Sequence, residues 1–319
     1  MTTTTHGMVA TQVALVCGPD NKATTDWYRR MFGFLSAGSA EFGGADIAEL
    51  QGLGVPNTKL GVAWLIDRNE FFQVELFKYL EPESRPLPAQ RQLSDIGYGL
   101  LSIHVADFDA TLGRLAAEGI KPVTTPLGAA GDRRVCVRDP IGNLLELMER
   151  DIRMPDAPPR LRPEVNVVVR SMTASVPDLA RARQFFVDTL GMAPVDITLH
   201  GPEHEALWGL AGARRKTLTL MAGDLFVELV EYIDPKPQAW PADHRVSDQG
   251  YMNFAIGART PEPYRKTRAR VFENGHHANC ELLVPPNVEV SYAFSVDGFS
   301  VEMMYINQAV DFDFGFVPK

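Results

Sequence analysis

Cysteine is nearly missing. Three stand in 319 residues, at Cys17, Cys136 and Cys280. An odd number without metal-type spacing excludes a disulfide framework and a zinc knuckle. Each lies in an apolar, strand-like stretch, so each is expected to be a small buried hydrophobe rather than a nucleophile. Long hydrophobic runs are missing too. The longest are strand-sized, against the ~20 apolar residues that a helical span needs, so no membrane partner is expected. The opening MTTTTHGMVATQ has neither a basic start nor an apolar core; no signal peptide is expected, and the expected compartment is the cytoplasm. Positive charge is in deficit. With 31 Lys and Arg against 40 Asp and Glu, the formal charge of -9 argues against a nucleic-acid partner.

What is present is an ordinary globular balance, 45% hydrophobic and 22% charged, in a chain long enough for about two domains. The chain also repeats itself. SDIGYGLLSIH, starting at Ser94, returns as SDQGYMNFAIG from Ser247. Val74-Glu75-Leu76 returns as Val227-Glu228-Leu229, and Glu75 and Tyr98 each lie 153 residues before Glu228 and Tyr251. Gly33 and Gly191 are 158 apart, Gly142 and Gly298 156. The chain is duplicated, with small insertions.

Each half is duplicated again. Period-two alternation predicts opening strands at 12–17, 99–105, 170–176 and 252–257, and closing strands at 71–79, 143–149, 226–232 and 300–305. Apolar residues three and four apart predict a helix after each opening strand, ended by Gly33, Gly119, Gly191 and Gly275. This gives four βαβββ units, an α+β chain. The proline-rich segment 154–163 reads as a protease-sensitive linker between a first domain, 1–153, and a second, 164–319.

Two phrases carry a family signal: Ser175-Val-Pro-Asp-Leu-Ala-Arg-Ala-Arg-Gln-Phe-Phe-Val-Asp-Thr-Leu-Gly-Met192 and Arg138-Asp-Pro-Ile-Gly-Asn-Leu-Leu-Glu-Leu-Met148. In order and repeated, they resemble the vicinal oxygen chelate superfamily, which includes glyoxalase I, bleomycin-resistance proteins, methylmalonyl-CoA epimerase and extradiol dioxygenases. The resemblance covers almost the whole chain. It implies that units pair into two cupped mixed β-sheet domains with flanking helices. It also implies that opening and closing strands each put one side chain at the centre of a cup. The closing positions are Glu75, Glu146, Glu228 and Glu302. The opening positions are Leu100, Asn253, Ser171, and either Gln12, if one residue is inserted near Gly18, or Val13. No histidine occupies them. His104 lies four residues past Leu100, on the same strand face, and reads as a polar residue at the strand's end. His200 and His204 fall in a loop expected to fold over a cup.

Pairing units within each half puts Ser171, Glu228, Asn253 and Glu302 together. Two carboxylates in an apolar cup cannot both stay ionised, so one should serve as acid or base near neutral pH, with Asn253 and Ser171 orienting a carbonyl. Proton abstraction beside a carbonyl is what the resemblance implies for the epimerase and glyoxalase branches. The expected activity is therefore that of a lyase or isomerase acting on an apolar or aromatic small molecule. Trp208, Trp240, Tyr251, Phe254 and Phe294 supply aromatic surface for such a ligand. No metal is favoured; a divalent metal held by Gln12, Glu75, His104 and Glu146 is the fallback. A sequestering protein for a hydrophobic compound and a metal-dependent glyoxalase-like enzyme using the first half are the alternatives. Extradiol ring cleavage, which the resemblance ties to two His and one Glu in the second half, is not expected. A homodimer is left open.

Overall fold

The computed structural model describes residues 6–155, 157 and 160–319. The first unit holds β1 (Val9–Gly18), α1 (Lys22–Phe32), β2 (Leu35–Gly43), α2 (Ala45–Gln51), β3 (Lys59–Ile66) and β4 (Gln73–Glu81). The second holds β5 (Gly97–Val105), α3 (Phe108–Ala117), β6 (Arg134–Arg138) and β7 (Leu144–Met148). Its remaining strand is reduced to one bridge, Leu127 to Arg134. The third holds β8 (Val167–Ser175), α4 (Leu179–Arg183) continued by a π-helical turn, β9 (Ala193–Pro194), β10 (Arg214–Ala222) and β11 (Leu225–Asp234). The fourth holds β12 (Gly250–Ala258), α5 (Pro261–Glu273), β13 (His277–Ala278), β14 (Leu282–Val284), β15 (Val288–Phe294) and β16 (Ser300–Ile306). The helices end as their glycines predict: Gly33 adopts the left-handed conformation (φ 83°) and donates its N–H to Arg29 O.

The units do not pair within the sequence halves. One nine-stranded sheet runs β13-β15-β16-β12-β1-β4-β3-β2, with β14 against β15, and joins the first unit to the fourth. One seven-stranded sheet runs β6-β7-β5-β8-β11-β10-β9 and joins the second to the third. The pairing expected inside 1–153 and 164–319 is thus corrected. The edges that meet are β1 with β12, and β5 with β8, both antiparallel. A core of buried aliphatic and aromatic side chains drawn from all four units packs between the sheets and helices.

The repeated SDxGY phrase explains itself as a reciprocal staple. Tyr98 on β5 donates to Ser300 O of the other sheet at 2.9 Å, and Tyr251 on β12 donates to Leu144 O at 2.8 Å. Asp95 accepts from Gln238 N (3.1 Å) and Asp248 from Arg85 Nε (3.0 Å), so each phrase ties down the segment leaving the other half.

Pro158 and Pro159 of the expected linker lie outside the described residues. The neighbouring arginines are docked: Arg160 pairs with Asp224 (2.5 Å) and Asp151 (2.9 Å), and Arg162 Nε donates to Asp67 O (2.8 Å). Cys17 and Cys136 are buried as expected, whereas Cys280 is half-buried outside any strand.

Candidate functional site

Each sheet forms one cup, and the register fixes what stands at its centre. In the nine-stranded sheet Ala14 of β1 pairs with both Glu75 of β4 and Asn253 of β12, while Ala255 pairs with Gln12 and Glu302. Small alanines between the polar residues let four side chains converge: Gln12, Glu75, Asn253 and Glu302. A register shift between Val16 and Gly18 supplies the one-residue insertion that selects Gln12 over Val13. In the seven-stranded sheet Ser102 pairs with Glu146 and Ser171, and Thr173 with Leu100 and Glu228. The corresponding positions there are Ser171, Glu228, Leu100 and Glu146.

Both expected four-residue sets are therefore split between the sheets. Of the favoured set, Asn253 and Glu302 lie in cup one, Ser171 and Glu228 in cup two. Of the fallback set, Gln12 and Glu75 lie in cup one, Glu146 in cup two. His104 joins neither centre; its Nδ1 lies 3.2 Å from Met148 O, and its pKa is lowered, chiefly by burial.

Among the described residues, cup one holds two carboxylates and no protein cation. Gln12 Nε2 lies between them, 2.5 Å from Glu75 Oε2 and 2.9 Å from Glu302 Oε2. Trp64 Nε1 donates to Glu75 Oε1 at 2.9 Å. The Tyr292 hydroxyl faces Glu302 and is itself reached by Gln51 Nε2 at 3.1 Å. Burial, and then the charge of Glu302, raise the Glu75 pKa well above the ordinary carboxylate value. Burial pushes Glu302 up to about 7, with Tyr292, Gln12 and Asn253 pulling the other way. Asn253 is fully buried beside Glu302, yet neither of its amide atoms has a hydrogen-bond partner of normal geometry. Above Gln12, Glu75 and Glu302 opens a cavity of about 90 Å³. Its walls include Phe42, Phe77, Phe314 and Phe316, roofed by Ile47 and Leu50 of α2, and no Lys, Arg or His lines it among the described residues. The aromatic residues expected to line the site lie elsewhere. Trp208 seals cup two, Phe254 is core, and Trp240, Tyr251 and Phe294 line a wider cleft of about 470 Å³ where the SDxGY phrases meet.

Cup two is closed by its own chain. The segment corresponding to α2 runs from Leu199 into a 3-10 turn, Pro202–Trp208, and drops His200 between the carboxylates. His200 Nε2 lies 2.9 Å from Glu146 Oε2 and Nδ1 2.6 Å from Glu228 Oε2, so both ring nitrogens donate and the ring is an imidazolium. Burial opposes that charge, but the two carboxylates outweigh it and raise the pKa to about 9. Burial likewise opposes the charge on Glu146, but His200 and then Arg134 hold it down at about 2. Glu228 is lowered too, against burial, by His200 and Arg215. Arg134 Nη1 reaches Glu146 Oε1 at 3.2 Å. Arg215 pairs with Glu205, which also accepts from Trp208 Nε1 (2.9 Å) and Tyr232 OH (3.0 Å). Glu146, Glu228 and Glu205 thus face His200, Arg134 and Arg215: three anions, three cations. His200 folds over a cup as expected, but as a plug; no spacing in the sequence ties it to the glutamates.

Residues 10–147 match the family model of the Glyoxalase/Bleomycin resistance protein/Dioxygenase superfamily. The architecture carries the same fold through the remaining residues. The structure is similar to glyoxalase I from Zea mays at 17% identity, covering 93% of this chain and 92% of that one, TM-score 0.59. It is also similar to a putative dioxygenase from Bacillus subtilis at 13% identity, covering 99% and 91%, TM-score 0.63. At these identities the likeness is one of fold. No curated protein matches the chain. No helix among the described residues is long and apolar enough to cross a membrane.

Proposed function

We propose that cup one is the working site of a small-molecule lyase or isomerase, in which Glu75 and Glu302 move a proton beside a carbonyl of an apolar substrate. One observation carries the reading: two buried carboxylates at the centre of an apolar cavity, with no protein cation to neutralise them. A carboxylate whose pKa sits near 7 is matched to taking and returning a proton at neutral pH. Glu302 is that group. Glu75, held protonated by its neighbour and by burial, is the partner acid. Asn253 is not part of the cavity lining; its amide is buried beside Glu302 and would steady that carboxyl as it takes and returns the proton. The phenyl-rich walls and α2 exclude water from the reacting carbon. The family's divalent metal fits this centre in one form only. Gln12, Glu75, Asn253 and Glu302 offer oxygen donors without imidazole or thiolate, a set for a hard cation such as magnesium or manganese. When bound, such an ion would polarise the substrate oxygen as a Lewis acid. Two imidazoles beside a carboxylate, the set that a non-haem iron oxygenase uses, occur in neither cup among the described residues.

Solvent deuterium exchange tests this without knowing the full reaction. In D2O, a panel of aryl ketones and α-hydroxy ketones should include compounds exchanged at the carbon beside the carbonyl, read by NMR. Glu302→Gln should slow that exchange by two orders of magnitude or more. Exchange by no member of the panel, with tight binding of some, would establish a sequestering protein instead.

A further inference from the structure

Gln73 is not one of the four central residues, yet it lies in the floor of cup one, paired with Gln12 across β4 and β1. Its amide is 2.9 Å from the amide oxygen of Gln12 on one side. On the other it faces two backbone carbonyls of the C-terminal segment, Gly315 O at 2.7 Å and Phe314 O at 3.1 Å. Carbonyl oxygens only accept, so the group that belongs against them is the NH2 of Gln73.

The two glutamines thus form a chain with acceptors at both ends: peptide carbonyls at one, the carboxylates of Glu75 and Glu302 at the other. An amide has one donating and one accepting side, so two amides in series satisfy only one end. With the NH2 of Gln12 turned to the carboxylates, the oxygen of Gln73 is left against the carbonyls. With the NH2 of Gln73 turned to the carbonyls, the NH2 of Gln12 follows it and the Gln12 oxygen faces the carboxylates. The first leaves oxygen against oxygen at the carbonyls, where nothing relieves it; the second puts the Gln12 oxygen against the glutamates, where the proton held by Glu75 or a bound cation can meet it. Peptide carbonyls carry no net charge; the glutamate end can, and a cation that displaces the proton finds oxygens there to coordinate it.

We infer that Gln73 is a positioning residue: anchored by the carbonyls of Phe314 and Gly315, it turns the Gln12 oxygen toward Glu75 and Glu302 and so builds an all-oxygen site for a hard divalent cation. The inference rests on cup one being the working site. The unpartnered, fully buried amide of Asn253 points the same way, as a fourth oxygen that no protein donor claims. Cup two supplies the contrast. Phe226 stands where Gln73 does, beside Ser171 in the place of Gln12, and there the carboxylates meet the protein's own cations.

Manganese(II) alone, titrated calorimetrically and by electron paramagnetic resonance, tests this on the full chain, with thermal unfolding as the check on folding. The wild type should bind one ion. Gln73→Met should weaken binding at least about tenfold, the range for losing a group that orients a metal ligand. In a Gln12→Met background the same change should cost nothing more, because it acts through Gln12. Equal affinity in a folded Gln73→Met variant, or additive losses in the double variant, overturns the inference. A wild type that binds no manganese also overturns it, and leaves proton transfer by Glu302 to its own exchange assay. Should Gln73→Met fail to fold, Gln73→Asn, one methylene too short to span the gap, should show the same loss.

Discussion

Cup one and cup two place glutamates at the same positions of the same kind of sheet and treat them oppositely. In cup two a histidine and two arginines from the protein meet every buried carboxylate. In cup one the corresponding segment is α2, which roofs the cavity with Ile47 and Leu50 and leaves Glu75 and Glu302 to repel each other. A buried charge that is paired contributes structure; one left unpaired is held ready for something else to pair with. The same geometry is a strut on one side and, in the function we propose, a reactive floor on the other.

The largest expected effect separates the cups by turnover. Glu302→Gln should cut exchange at least a hundredfold, while Glu228→Gln, where the protein folds, should leave the rate per folded molecule within about twofold. The reverse pattern would move the working site to cup two. Next comes stability. His200→Ala strands Glu146 and Glu228 without their shared partner, and denaturant unfolding should show a loss of about 3–5 kcal/mol. A loss below ~1 kcal/mol would mean that the plug is not what neutralises cup two.

The cups should also differ in pH dependence. Glu302 is raised in the fold, to about 7, so its contribution is fully present below its ordinary pKa near 4.5 and is lost as pH rises through 7. His200, raised from 6.5 to about 9, contributes in full below 6.5 and loses that contribution as pH rises through 9; Glu146, lowered from 4.5 to about 2, contributes in full above 4.5 and loses it as pH falls through 2. In chelator-treated protein, Glu302→Gln should therefore melt increasingly above wild type between pH 5 and 8. An unchanging difference across that window would show that the pair is not strained. The smallest effect is that of the staples. Tyr98→Phe and Tyr251→Phe should each cost about 1 kcal/mol, alike in size because the two contacts mirror each other.

The four units and their central positions were legible, because each hangs on a local phrase: Val-Glu-Leu, Asp-Pro-x-Gly-Asn, a glycine ending a helix; between Gln12 and Val13 the sequence left the choice open, and the register shift between Val16 and Gly18 decides it. Which units pair was not. The opening strands of all four units have equally apolar edges, and periodicity says which face is buried but not which edge finds which. The join is decided by contacts far apart in the chain, such as Tyr98 with Ser300. Adding Glu302 to Glu228 therefore gave a pair that never meets, although the reasoning about paired carboxylates applies to Glu75 and Glu302. His200 was hidden for another reason. A loop residue carries no period, and nothing in His-Gly-Pro-Glu-His states that it is 2.6 Å from a glutamate two strands on, in β11.

The crossed pairing of the sheets also sets an order on synthesis. The middle of the chain, β5 to β11, closes its sheet as soon as it has left the ribosome. The first unit cannot: β1 pairs with β4, but its other edge has its partner only in β12, which begins 169 residues after β4 ends. At ordinary elongation rates that is roughly ten to thirty seconds with an apolar strand edge open and the floor of cup one half built. On nascent chains stalled so that β11 has left the ribosome and β12 has not, protease should spare the middle sheet and cut the first unit; equal resistance of the two would show that the first unit does not wait.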